Sequence, residues 1–384
     1  MPSFLRDEKI RGIIYQILTI TAFVAFLWFI AVNTSHNIEQ RGIKTGFDFL
    51  SATAGFDITE SPISYTPAST HWRVFEVGLI NTLIVSFWGI VLSSILGLLI
   101  GVGRLSPNWL INRISASYIE IFRNIPVLLQ ILFWYNVVLA TLPSVRNSID
   151  FMGAVFINNR GFFIPDISFT DGSWMIWTGL AIAIVSIHFL KRWAHKRQDE
   201  TGEQFPILSV SIALLILLPL AGAVLAGFPF EIGYPELKGF NFKGGKTFTP
   251  EFLALLFALS IYTATFIAEA IRSGIEAVPK GQKEAAKSLG LTPTQELRLV
   301  VLPQAVRIAI PSVINQYLNL IKNSSLAAAI GYPELVTIFA GTSLNQTGQA
   351  LEILLITMLT YLIISLLVSL ILNWFNSKMK IKER

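Results

Sequence analysis

Cysteine is absent from the sequence, so disulfides and thiolate metal sites are both excluded. Histidine is nearly as scarce: His36, His71, His188 and His195 are too scattered to form a ligating motif, which argues against a metal enzyme. Charge is sparse as well, at 14% of residues, and no basic stripe is present. The lysines and arginines behind the net charge of +5 sit at the ends of apolar segments, a pattern that fits membrane topology and not a nucleic-acid partner. No G-x-x-x-x-G-K-[ST] phosphate loop occurs, so the chain lacks the usual means of hydrolysing ATP. The apolar segments also carry no His/Asp/Glu cluster or Ser/His pairing of the kind an embedded enzyme needs.

What the sequence has in excess is apolar surface. Hydrophobic residues make up 53% of it and its mean hydropathy is +0.60. They come in uncharged blocks long enough to cross a bilayer, since ~20 helical residues span the ~30 Å hydrocarbon layer. Eight spans are expected, near 12–33, 77–103, 124–142, 172–190, 206–227, 252–271, 308–330 and 353–373. The first follows a basic start (Arg6, Lys9, Arg11), but the run from Gly12 to Val32 is too long for a signal-peptide core and ends without a small-x-small cleavage site. It reads as a retained span. The seventh contains Pro311 near its start and Lys322 in mid-run, and is expected to be bent or partly interfacial.

Orientation follows from the basic residues between spans. Twenty lie on the side that holds Arg6, Arg104, Lys191, Arg272 and Arg384, and eight (Arg41, Lys44, Arg73, Arg146, Arg160, Lys238, Lys243, Lys246) lie on the other. With Lys322 set aside, the bias places both termini in the cytoplasm. The outer segments 34–73, 143–171 and 228–250 are rich in Gly, Pro, Asn and aromatics and read as loops without a soluble domain; the first is long enough to lie on the membrane surface. In the second span Gly89, Ser93, Gly97 and Gly101 recur every four residues, which favours close helix packing over pore lining.

The longest polar stretch on the cytoplasmic side, Arg272 to Arg307, reads as two short helices joined at a glycine. Pro279 opens the first helix, Lys280 to Leu289, and Gly290 stands where a left-handed C-terminal cap is expected. Thr292, Pro293 and Gln295 then form an N-cap, a first helical position and a capping box for the second. A short helix with two alanines on one side and lysines on the other suits docking into a groove of another protein, and a glutamate in it can make a charge-assisted contact there. On chemistry alone, an ordinary solvated loop explains the segment equally well.

Glu284-Ala285-Ala286, then Gly290, Val300, Leu302 and Pro303, resembles the EAA loop of ABC-importer permeases, with spacing E-A-A-x3-G-x9-I-x-L-P and Val300 in place of the usual isoleucine. The flanking Ala268 to Ile275, Pro303 to Arg307 and Lys322 to Leu326 resemble the polar amino-acid subgroup. Phe122 to Gln130 and the wide outer loops resemble the longer permease of general L-amino-acid systems, over nearly the whole chain. The resemblance implies an all-α polytopic membrane helix bundle of about eight transmembrane helices, with a type I ABC-importer permease core and a cytoplasmic coupling helix. It divides the chain into an N-terminal span and loop (1–76), a first core part (77–142), added loops and two added spans (143–250), and a second core part (251–384) that holds the EAA loop at 276–305.

By that resemblance, Lys283, Glu284, Ala285, Ala286, Ser288, Leu289, Gly290 and Pro303 belong to the contact with a separate ATP-binding subunit dimer. The implied partners are that dimer, a second permease subunit, a periplasmic amino-acid-binding protein and the lipid of a bacterial inner membrane. No cofactor is expected on this chain, because ATP and Mg would be used by the ATPase. Candidates along the substrate path are the polar groups in or near spans: Lys322, Asn323, Ser324, Glu269, Arg123 and Gln130. Topological anchoring is the simpler reading of Arg123 and Arg272, and an i,i+3 ion pair explains Glu269 with Arg272. For Lys322, path lining and an ion pair with Glu269 both stand open. A secondary amino-acid transporter driven by an ion gradient is the alternative, but it would show paired interrupted spans and only the segment around Pro311 is interrupted.

Overall fold

Within a bilayer every backbone polar group must find its partner inside the protein, so uncharged runs of this length become helices. In the computed structural model, which describes residues 8–40, 42 and 44–378, these are α1 (Glu8–Gln40), α2 (His71–Arg104), α3 (Trp109–Asn124), α4 (Val127–Phe133), α5 (Trp174–Thr201), α6 (Ile207–Leu225), α7 (Pro250–Glu276), α8 (Lys280–Ser288), α9 (Pro293–Gln295), α10 (Leu302–Asn323), α11 (Leu344–Thr347) and α12 (Ala350–Lys378). Arg6, Arg41, Lys380, Lys382 and Arg384 of the charge count lie outside the described residues. By length and composition seven helical segments can cross a membrane, and an eighth crossing results if α3 and α4, with the wide turn that continues α4 to Leu139, count as one span. The eighth is therefore broken, with a 100° bend between α3 and α4. Its cause is local: Pro126 holds Ile125 in an extended conformation (φ −95°, ψ 125°) and offers no N–H to the helix before it.

One compact unit consists of the residues up to Trp134 and those from Ala254 onward. Its most buried span is α7, with 72% of the spanning window covered. The small residues of α2 explain why neighbours come so close. A Cβ on Gly97 would stand 2.6 Å from Cγ2 of Ile267, one on Gly101 2.8 Å from the carbonyl of Ala268, and one on Gly89 3.1 Å from Leu320. The stripe packs α2 against α7 and α10, as its spacing favoured. The expected bend at Pro311 does not break α10, which runs through it to Asn323 and tightens into a 3-10 turn at Ser324–Ala329. By contrast α1 has no buried residue in its spanning window, so within this chain its apolar surface is bare.

The second unit covers Tyr135 to Leu253. Here α5 and α6 form a hairpin whose backbones meet at glycines: a Cβ on Gly179 would lie 2.5 Å from the carbonyl of Leu218, and one on Gly222 2.4 Å from that of Met175. The segments expected to be plain loops differ from that reading. They fold into eight short strands: β1 (Ile149–Phe151), β2 (Val155–Asn158), β3 (Gly161–Ile164), β4 (Asp166–Phe169), β5 (Phe230–Gly233), β6 (Glu236–Lys238), β7 (Asn241–Lys243) and β8 (Lys246–Phe248). All pairs are antiparallel, in the orders β1-β2-β3-β8, β4-β5 and β6-β7. A small core of Val145, Phe163 and Phe242, with Phe156 against it, closes this layer. The described residues are mostly helical, as expected of a polytopic membrane bundle, with the short strands confined to the second unit.

Candidate coupling and translocation site

The glycine elbow forms as its residue types dictate. α8 starts after Pro279, and Gly290 takes the left-handed conformation (φ +75°) that ends it, while the N–H of Leu291 donates to the carbonyl of Ala286 at 3.2 Å. The capping box is complete: the N–H of Gln295 donates to Thr292 Oγ1 (3.4 Å) and the N–H of Thr292 donates to Gln295 Oε1 (2.9 Å). Pro303 stands where the wide turn Glu296–Val301 passes without a break into α10. In that turn the buried Val301 packs with Val278 and Ala305.

The faces of α8 correct one expectation. Ala285 and Ala286 do not share an outward side: Ala286 is buried and Ala285 exposed, because neighbours on a helix are about 100° apart. The outward surface is made by Glu284, Ala285, Lys287, Ser288 and Leu289, with Lys283 half-buried and Leu289 80% exposed. Leu289 thus stands bare beside Glu284 on the outward face, at the end of the helix that the left-handed Gly290 closes.

Near the C-terminal end of α7, Arg272 holds Glu269 with Nη2–Oε1 at 2.5 Å and Nε–Oε2 at 3.0 Å, and also pairs with Glu276. The expected i,i+3 pair is present, extended by an i,i+4 partner that was not expected. The Arg123 guanidinium lies 5.3 Å from the centroid of the Phe266 ring. Gln130 is buried, and its amide N–H groups donate to the carbonyls of Phe122 (2.9 Å) and Ile125 (3.0 Å) at the α3–α4 bend. In an unbroken helix Phe122 would bond the N–H of residue 126, which is proline. Gln130 supplies the missing donor.

Lys322 makes no ion pair with Glu269 among the described residues. It lines a cleft of about 460 Å³ with Ser325, Val336, Thr357, Tyr361 and Ser365, facing the middle of α12. Ser365 Oγ is buried with no hydrogen-bond partner among the described residues. Of the polar run after Lys322, Asn323 is half-buried and Ser324 turns inward, donating to the carbonyl of Ile321 at 2.7 Å. The structure therefore brings Lys322 and Ser325 together, leaves Glu269 and Arg123 at the other end of the spans, and uses Gln130 within the fold. Sequence reasoning missed Tyr361 and Glu334. Glu334 is fully buried and accepts hydrogen bonds from the N–H groups of Val336 and Thr337, from Thr337 Oγ1 and from the Tyr361 hydroxyl. The signal available for it was the turn Gly331-Tyr332-Pro333, followed by a carboxylate in an otherwise apolar stretch.

With this geometry in view, the kinship of the chain is informative. A family model described as binding-protein-dependent transport system inner membrane component matches residues 200–381. The chain is 50% identical, over 382 residues, to the general L-amino acid transport system permease protein AapQ of Rhizobium johnstonii, which covers 100% of this chain and 95% of that protein. The chain belongs to this family of inner-membrane transport components. Family relatives include the putative amino-acid ABC transporter permease protein YhdX of Escherichia coli (48% identity, 98% of this chain and 96% of that one). Another is the glutamate/glutamine/aspartate/asparagine transport system permease protein BztB of Rhodobacter capsulatus (40%, 100% and 97%). None of the three is named as an ion-driven carrier. Family membership agrees with the sequence on a multi-pass, helical inner-membrane permease with an EAA-type loop, and the match to these relatives includes the α5–α6 hairpin and the β layer.

Proposed function

We propose that this chain is the membrane-spanning permease subunit of an ATP-binding-cassette importer that moves L-amino acids from the periplasm to the cytoplasm. The observation that carries the reading is the elbow: a capped helix with an exposed Glu284 and Leu289, at the spacing of the EAA loop, in a chain 50% identical to a general L-amino acid permease. A separate ATPase dimer docks on the outward face of α8, and its closure on ATP and Mg is passed to α7 and α10 through the turn at Glu296–Val301. A second permease subunit and a periplasmic amino-acid-binding protein complete the assembly. The chain itself performs no catalysis and binds no cofactor.

Both termini face the cytoplasm. Lys322, within the cleft beside α12, offers a positive charge to a substrate carboxylate at mid-span, where an unpaired ammonium is costly unless it serves a path. Glu269, Arg272 and Arg123 form a charged collar at the cytoplasmic end.

The test is co-purification from the native membrane in mild detergent, wild type beside Glu284→Arg, with ATPase activity stimulated by loaded binding protein. An ATPase and a second permease should accompany the wild type and be lost or uncoupled in the variant. A chain that purifies without an ATPase and transports equally well with either residue would overturn the reading.

A further inference from the structure

The cleft beside α12 accounts for one cavity of the first unit. A second, of about 430 Å³, lies at the opposite end of α2 from the elbow, where α2 and α12 both begin. It is lined by Lys44 and Asp48 from the segment after α1, by Thr53, by His71 at the start of α2, and by Gln346 and Gln349 just before α12. Its size is that of a small-molecule site. In contrast to the cleft beside α12, it is polar and carries both signs of charge, and no ion pair joins Lys44 to Asp48 among the described residues.

The walls are held from several sides. The N–H of Gly46 donates to Glu352 Oε1 at 2.6 Å, which ties the Lys44 segment to the first turn of α12. The N–H of His71 donates to the carbonyl of Ala52 (3.1 Å), and the His71 ring hydrogen-bonds Ser343 (2.8 Å) in the buried layer behind the cleft. The floor is Phe49, packed on Leu335, Phe339 and Ile353. Lys44 and Asp48 are exposed, whereas His71 and Gln349 are buried, so charged ends stand at the mouth and hydrogen-bonding groups stand deeper.

We infer that this cleft is an outer binding site for a free zwitterionic amino acid with a short polar side chain, distinct from the mid-span path at Lys322. Lys44 receives the α-carboxylate and Asp48 the α-ammonium, each through a charge-assisted hydrogen bond. The side chain of the ligand is met by the amides of Gln346 and Gln349 and the hydroxyl of Thr53, over the Phe49 ring. The inference rests on the amino-acid reading above, and it adds a waypoint on the side from which substrate arrives.

The assembled transporter, purified with its native partners but without binding protein, is titrated with L-glutamine by calorimetry. Glutaramate, which lacks the α-ammonium, and L-glutamine amide, which lacks the free α-carboxylate, serve as comparisons. Wild type should bind L-glutamine, and Lys44→Met and Asp48→Asn should each weaken that binding about tenfold, the scale of one charge-assisted bond. Both analogues should bind wild type about as weakly. Because the chain has no cysteine, Thr347→Cys, in the lining of the cleft but outside the ligand contacts named above, gives a single thiol on it, and L-glutamine should slow its alkylation by an impermeant maleimide several-fold while glutaramate does not. Unchanged affinity in both charge variants together with unprotected alkylation overturns the outer site, even if the transporter imports amino acids. Binding and protection as expected, in a complex that fails to import any amino acid with its binding protein, would instead remove the function proposed above and leave the site.

Discussion

At the scale of single residues, a glycine and a lysine do opposite work in the same bundle. Gly97 matters for what it leaves out: its missing side chain lets α2 reach Ile267 and the carbonyl of Ala264. Gly97→Val should overpack this contact and cost about 1–3 kcal/mol, read as a lower unfolding temperature of the detergent-solubilised protein and a smaller assembled yield. Unchanged stability would mean that α7 can move aside, which its burial argues against. Lys322 matters for what it presents. Lys322→Met should reduce amino-acid uptake while the complex still assembles at wild-type yield; full uptake in that variant would take Lys322 out of the path. The glycine was legible from sequence because a four-residue period declares a helix face whatever its neighbour. The lysine was legible only as an anomaly, since the sequence places a charge in an apolar run without saying whether Glu269 or α12 lies opposite.

At the scale of elements, capped and punctuated pieces were the readable ones. The elbow was read correctly because proline, glycine and a Thr-x-x-Gln box act on backbone groups within a few residues of themselves. The bend between α3 and α4 was not read, because the expected span began only at 124, beside Pro126, and α3, which carries Arg113, Glu120 and Arg123, was counted outside it. Gln130 then takes its meaning from the bend. Gln130→Leu should leave the carbonyls of Phe122 and Ile125 without donors in a buried place, at about 1–3 kcal/mol for each. Amide exchange across residues 120–135 should speed up, with the exchange of α8 unchanged; a variant that keeps wild-type protection there would show that another group caps the break. The strands escaped notice for a different reason. β3 pairs with β8 and β4 with β5 across the whole α5–α6 hairpin, and segments of three or four residues carry too little alternation to announce partners that distant.

At the scale of the whole molecule, that same broken element decides which way everything after it faces. If α3 and α4 together cross the membrane, the eight crossings bring both ends of the chain to one side, and basic residues divide twenty to eight in favour of the cytoplasm. If they dip in and return, every later segment inverts, and the division becomes eleven on the cytoplasmic side against seventeen outside. The elbow would then face away from any ATPase. The charge bias and the docking surface of α8 therefore require the same crossing, with Lys287 counted in both. Single cysteines at Lys196→Cys, near the C-terminal end of α5, and at Lys243→Cys, in β7, separate the two cases in a chain that has no cysteine of its own. In spheroplasts an impermeant maleimide should label the thiol at position 243 and reach the one at 196 only after permeabilisation. The reverse pattern would mean that the bent pair does not cross, and it would take away the cytoplasmic position on which the coupling role of α8 depends.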